Sequence, residues 1–178
     1  MVIVLLANGF EEIEALTPVD MLRRAGVDTK TVGIGGITVT GSHGITVTAD
    51  MLPEDVDLDE VDMAVFPGGM PGSLNLDASE FTDKVIEKLT KSGARLAAIC
   101  AAPLVFGRRG LLKGKRATCY PGFESELTGA TVCTDAVVTD GSITTAKGMG
   151  AALAFSKELI SLIISPECAA RISAAIME

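Results

Sequence analysis

The chain has 178 residues, 48% of them hydrophobic, no tryptophan and a formal net charge of −8. That length fits one domain with a sizeable core, and residues 1–178 are read as one such unit. The acidic balance excludes the basic footprint of a nucleic-acid backbone binder, and no apolar run reaches the roughly 18 residues of a membrane span.

With only 4% aromatic residues, the core must be built from Val, Ile, Leu, Ala and Met, which suits a sheet covered by helices. Met1 to Ala7 has no basic residues before its apolar run and reads as a first strand rather than a signal segment. The four cysteines, Cys100, Cys119, Cys133 and Cys168, follow neither CxxC spacing nor a disulfide-dense pattern. One histidine, His43, leaves too few ligands for a Cys/His zinc site. A reducing cytoplasm is the simplest setting, and neither metal nor cofactor is expected.

Val2 to Ala7 is continuous and apolar, as in a parallel strand covered on both faces. After Asn8-Gly9-Phe10, the acidic pair Glu11-Glu12 opens a helix reaching Arg24 and ended by Gly26, with Pro18 predicted to kink or reset it. Glu14 lies over Pro18 and Met21, on a largely apolar face. Two readings of it stand: a solvated first-turn acid like Glu11 and Glu12, which is the commoner case, or a carboxyl held neutral by burial. Asp28 to Gly33 reads as a second strand. Ile37 to Thr40 and Ile45 to Thr48 alternate as a small ribbon whose turn, Gly41-Ser42-His43-Gly44, carries His43. A lone loop histidine is most often simply exposed.

The acidic stretch Glu54 to Asp62 feeds a buried strand, Met63 to Phe66, which ends in Pro67-Gly68-Gly69-Met70-Pro71-Gly72. Ligands in open α/β sheets bind beyond the carboxyl ends of strands. The glycines there either make a plain turn or let backbone N–H groups approach a substrate oxygen. Ser79 to Ser92 is an amphipathic helix with Phe81, Val85, Ile86 and Leu89 inward. Arg95 to Ile99 is an apolar strand running into Cys100, and Pro103 can open a helix three residues later. Nucleophile elbows have this geometry, with small residues either side of the nucleophile. Cysteine is also among the most buried residue types, so the spacing leaves a reactive and a structural Cys100 both open.

The helix after Pro103 ends near Gly107, and Arg108 to Gly114 form a loop. Cys119 to Phe123 lead into a short helix reaching Leu127, and Val132 centres a short strand. Ala136 to Thr139 and Ile143 to Ala146 flank Asp140-Gly141, a hairpin signal. Lys147-Gly148-Met149-Gly150 precede a helix through Ile164, whose Ala151, Ala152, Phe155, Leu159, Leu162 and Ile163 form its core face. A last helix spans Glu167 to Met177.

Four segments in order complete the pattern: Glu11-Glu12-Ile13-Glu14 through Pro18 to Gly26, Phe66-Pro67-Gly68-Gly69, Ala98-Ile99-Cys100-Ala101-Ala102-Pro103, and Thr118-Cys119-Tyr120-Pro121-Gly122. In them the chain resembles the ThiJ/PfpI superfamily, in the clade of the Parkinson-associated deglycase protein and bacterial YajL. The resemblance implies an α/β, flavodoxin-like three-layer sandwich of the class I glutamine amidotransferase type, with a mostly parallel sheet, helices on both faces, and homodimerisation. It also implies that Cys100 is the reactive cysteine and Glu14 a protonated partner, with Gly69 and Ala101 donating to an oxyanion and Gly68 shaping the loop. A thiolate beside a helix start and a neutral donor would have a lowered pKa.

This chain departs from some members in placing Tyr120 where they place a histidine. His43 falls near the loop bordering the site. A peptidase or amidase mechanism needing Cys-His pairing is thereby disfavoured. The activity implied is glyoxalase or deglycase chemistry on methylglyoxal, glyoxal or glycated proteins. A redox sensor or chaperone with an oxidisable Cys100 is the alternative.

Overall fold

β1 (Val2–Ala7) is buried at every position, and its pleat sends alternate residues into two separate cores. Ile3, Leu5 and Ala7 join Ala64, Phe66, Leu96 and Ala98 on one side. Val2, Val4 and Leu6 join Met63, Val65, Ala97 and Ile99 on the other. A strand apolar on both faces is what a sheet between two helical layers requires. The computed structural model, which describes residues 1–178, has that layering.

The central sheet contains β1, β2 (Thr29–Ile34), β5 (Met63–Phe66), β6 (Arg95–Ile99), β9 (Val137–Asp140) and β10 (Ile143–Ala146), in the order β2-β1-β5-β6-β10-β9. All neighbours are parallel except the β9–β10 hairpin at one edge. Two ribbons lie outside it: antiparallel β3 (Thr38–Thr40) with β4 (Thr46–Thr48), and parallel β7 (Arg116–Ala117) with β8 (Thr131–Val132).

Helices α2 (Gly72–Asp77), α3 (Glu80–Ser92) and α4 (Pro103–Arg108) supply Leu76, Val85, Leu89 and Phe106 to the first core. Phe106 meets Phe66 edge-to-face at 5.0 Å. Helices α1 (Glu12–Arg24), α5 (Ala152–Ile163) and α6 (Pro166–Ala175) supply Leu22, Phe155 and Ile172 to the second. The architecture is the α/β sandwich read from the sequence.

Local departures have physical causes. α1 runs unbroken through Pro18, which is itself buried. Its inner face packs on α5, and tertiary packing of that kind holds a turn that propensity would break. Gly72 was read inside a turn but opens α2, because Pro71 stands at its N-cap and Asn75 and Ser73 take up the freed carbonyls of Pro71 and Gly69. Phe81, Leu162 and Ile163 are only partly buried. They sit at the borders of the apolar faces rather than at their centres.

Candidate active site

β6 delivers Cys100 to the carboxyl end of the sheet, and the chain reverses there. Cys100 has φ +66°, a left-handed conformation that costs a residue with a Cβ about 1 kcal/mol or more. Backbone bonds on both sides hold it: the Cys100 N–H donates to Ala146 O at 2.9 Å, and the Tyr120 N–H donates to Cys100 O at 2.8 Å. Ala101 and Ala102 are buried, so the turn has no space for larger flanking side chains. The strand-to-helix turn expected of a nucleophile elbow is present.

Glu14 comes from the first turn of α1 and is 0% exposed. One bond caps this turn and two tie it to Gly68. The Glu11 carboxylate accepts from the Glu14 N–H at 2.7 Å, the Glu11 N–H donates to Gly68 O at 2.9 Å, and the Gly68 N–H donates to Glu14 Oε2 at 3.0 Å. The other carboxyl oxygen, Oε1, is buried without a hydrogen bond of ordinary geometry. Burial pushes the Glu14 pKa up to about 7, opposed by the Cys100 side chain and by the Gly68 and Met149 N–H groups. A half-satisfied buried carboxyl is costly unless it carries its proton and has something to donate to. The Cys100 side chain is close enough to act on the Glu14 pKa and is the candidate acceptor.

Gly68 and Gly69 are required by contact. A Cβ at Gly68 would overlap Glu14 Oε2 and lie 2.6 Å from Cys100 Cβ. Gly69 has φ +92°, and a Cβ there would meet Gly9 O at 2.5 Å. The N–H groups of Gly69 and Ala101 both reach toward Cys100 and favour its thiolate.

They do not dominate. Burial first, then the charge and hydrogen bond of an ionised Glu14, push the Cys100 thiol up to about 12. The expectation of a resting thiolate with a lowered pKa is corrected accordingly, because two acids share one dry site. When Glu14 holds the proton, its charge and the repulsion it causes vanish, and its O–H can donate to sulfur, so the hydrogen-bond contribution alone changes sign. The first ionisation of the pair falls near pH 7, and of its two singly charged forms the thiolate is the one in which Glu14 keeps its proton.

The structure does not join His43 to Cys100 by any contact. Its Nδ1 lies 3.0 Å from Glu12 Oε2, and its backbone N–H donates to Glu12 Oε1 at 2.8 Å. Glu12 was read as solvated but is 5% exposed. Although burial acts in the other direction, bonds from His43 and Ile45 hold its pKa down at about 2. The ligand atoms of Glu11, Glu12 and His43 lie within 4.8 Å of one another. Both Glu12 oxygens are already engaged by the 42–45 turn, so the group anchors a loop.

Tyr120 is 51% exposed and stands beside the cysteine: a Cβ at Gly148 would lie 3.3 Å from its Cδ2 and 3.9 Å from Cys100 Sγ. Tyr120 and Gly148 line a groove of about 450 Å³ together with Pro121, Ala136, Lys147, Met149 and Ala151. The wall from Gly148 to Gly150 was read only as a helix lead-in. Its glycine-methionine-glycine composition gave no chemical signal. Cys119 is buried, Cys133 and Cys168 are half-buried, and all four cysteines are free.

The model of the DJ-1/PfpI family matches residues 1–162. The chain belongs to the DJ-1/PfpI family. It is 38% identical to Arabidopsis thaliana Protein DJ-1 homolog B over 97% of its own length and 40% of that protein's. The chain thus spans less than half of this relative. It is 33% identical to a deglycase of Pyrococcus abyssi, covering 91% of this chain and 98% of that one. The solved structure of oxidized Toxoplasma gondii DJ-1 superposes with a TM-score of 0.94 at 32% identity, over 99% of this chain and 97% of that one. The DJ-1 fold and the resemblance read from the four segments are both borne out. No helix is long and apolar enough to cross a membrane.

Proposed function

We propose that the chain is a cysteine-dependent, cofactor-independent enzyme acting on reactive dicarbonyls such as methylglyoxal and glyoxal, or on their early protein adducts. One observation carries the reading. A fully buried carboxyl, fixed through one oxygen by the Gly68 N–H, has its second oxygen unpaired beside a strained cysteine.

In the proposed reaction the Cys100 sulfur adds to the aldehyde carbon, and the carbonyl electron pair moves onto oxygen. The Gly69 and Ala101 N–H groups stabilise that oxyanion. Glu14 gives its proton to the oxygen and takes the proton from the same carbon, forming an enediol. Return of the proton to the neighbouring carbon leaves a thioester of a 2-hydroxy acid. Water then releases the acid and restores the thiol. Methylglyoxal plus water becomes lactate, with no external oxidant or reductant. The archaeal relatives named deglycases support the class of chemistry.

Residues 1–178 act in this reading as one catalytic domain. The exposed Ile13, Ile45 and Leu153 offer an apolar face for a homodimer, and four free cysteines suit a reducing cytoplasm. With His43 bound to Glu12, a Cys-His hydrolase has no base. Lactate production by the purified protein is the test: turnover lost in Cys100→Ser supports the reading, and equal rates in the two proteins refute it.

The same unpaired Glu14 oxygen favours one other reading, a redox sensor in which the acid donates to a Cys100 sulfinate. Two oxygens added at Cys100 by mild peroxide, on a protein without dicarbonyl turnover, would select it.

A further inference from the structure

We propose that the groove beside Cys100 is a subsite for the apolar substituent of an α-oxoaldehyde larger than methylglyoxal, and that an aromatic substituent fits it best. The inference rests on the dicarbonyl reading above and names the substrate class of that site.

Size is the first argument. At about 450 Å³ the groove falls in the ~300–1,000 Å³ range of small-molecule sites, while the methyl group of methylglyoxal fills only a corner of such a space. Position is the second. Gly148 is shared between groove and nucleophile, since a Cβ on it would stand 3.9 Å from Cys100 Sγ. An aldehyde carbon bonded to that sulfur therefore places its second carbonyl and substituent at the groove's inner end.

Lining chemistry is the third argument. Tyr120 and Met149 are 51% and 50% exposed, two large apolar side chains flanking one concavity. Pro121, Ala136 and Ala151 complete the apolar wall. A tyrosine ring offers an offset-stacking surface and a thioether a favourable contact to an aromatic edge. Lys147 is the sole charged residue of the lining. Its N–H donates to Ala136 O at 2.9 Å, closing the far wall. One ammonium does not make a site for a phosphorylated sugar, which would need several converging donors. A histidine in place of Tyr120 would make this wall polar, so the departure at position 120 and the groove's character are one feature.

Phenylglyoxal is the probe. The sulfur adds to its aldehyde carbon, the hydrogen on that carbon moves as a proton to the ketone carbon, and water hydrolyses the thioester. The net change is addition of one water to give mandelate.

Steady-state kinetics with both substrates, after subtraction of the Cys100→Ser background, give three decisive outcomes. Burying a phenyl ring contributes enough to raise kcat/KM for phenylglyoxal at least about tenfold over methylglyoxal. Ala136→Trp, which fills the groove from an exposed position, lowers the ratio of phenylglyoxal to methylglyoxal kcat/KM about tenfold. Ala136→Leu serves if the larger residue disturbs folding, which the thermal midpoint reports. Cys100-dependent turnover of methylglyoxal without the preference, or with both substrates equally affected by the filling variant, overturns the subsite and spares the dicarbonyl reading. Cys100-independent background with both substrates overturns both.

Discussion

Replacing Glu14 by glutamine tests the central electrostatic argument through stability, independently of any substrate. Gln is nearly isosteric and keeps an oxygen for the Gly68 N–H, but it cannot ionise. In the native protein burial raises the Glu14 pKa from its ordinary 4.5 to about 7. Below 4.5 the carboxyl is protonated folded or unfolded. Between 4.5 and 7 the unfolded chain loses the proton while the folded one retains it, so folding becomes less favourable as pH rises through this window. Each tenfold change in proton affinity is ~1.36 kcal/mol, and the whole rise corresponds to about 3 kcal/mol. The glutamine variant lacks this loss.

Urea unfolding followed by circular dichroism at pH 4.5, 6 and 8 measures the effect. Subtracting wild type from variant cancels Glu12 and the other shared titrations. The variant should gain about 3 kcal/mol relative to wild type between pH 4.5 and 8. Parallel curves across that range would mean that Glu14 is solvated or paired in a way the geometry does not contain.

Four further outcomes follow from the same geometry. Alkylation of Cys100 by iodoacetamide should rise with the first ionisation of the Glu14–Cys100 pair near pH 7, because the singly charged pair includes the thiolate, and Glu14→Gln should abolish that step; its persistence would dissociate the two groups. Glu12→Gln should lower the thermal midpoint at neutral pH through weakened bonds to the 43–45 turn, each charge-assisted bond contributing about 1.5–3 kcal/mol. Because the Glu12 pKa is held down at about 2, that difference should shrink as pH falls from 4.5 toward 2. Gly68→Ala should destabilise the fold and slow Cys100 alkylation, since the new methyl overlaps Glu14 Oε2; a variant matching wild type in both measurements contradicts the packing. Cys100→Gly should be more stable than Cys100→Ala by about 1 kcal/mol in denaturant unfolding, reversing the usual order, because φ is +66° there.

The sheet was legible because its central strands are apolar at every position, a pattern independent of what surrounds them. Val2 to Ala7, Met63 to Phe66 and Arg95 to Ile99 carry their burial in their own composition. Strand order was not legible locally, since β6 lies between β5 and β10 through contacts that no short window contains. Glu14 was visible as an acid on an apolar face, but its partners Gly68 and Cys100 lie 54 and 86 residues away in sequence, and only the family resemblance joined them. Glu12 was misread for a related reason. Its burial comes from the 41–45 turn folding over it, and from Gly41, which has no room for a Cβ against the Glu12 carboxyl. Met149 was missed because a methionine between glycines has no chemistry until a nucleophile stands beside it.

The distribution of one charge over Glu14 and Cys100 separates the two activities this site could have. A thiolate permanently stabilised by a cation is ready for any electrophile, peroxide included. Here the groups that favour the thiolate are two backbone N–H donors, and in the proposed reaction the thiolate is the form in which Glu14 holds the proton. Addition to an aldehyde, as proposed, would use that state directly, because the proton on Glu14 is the one the new alkoxide would need. The acid is then basic again when the C–H proton must be removed. Oxidation consumes the thiolate without calling on the acid as a base. A carboxyl whose pKa lies near neutrality is matched to giving and taking a proton in one cycle, a demand that aldehyde rearrangement makes and sulfinate storage does not.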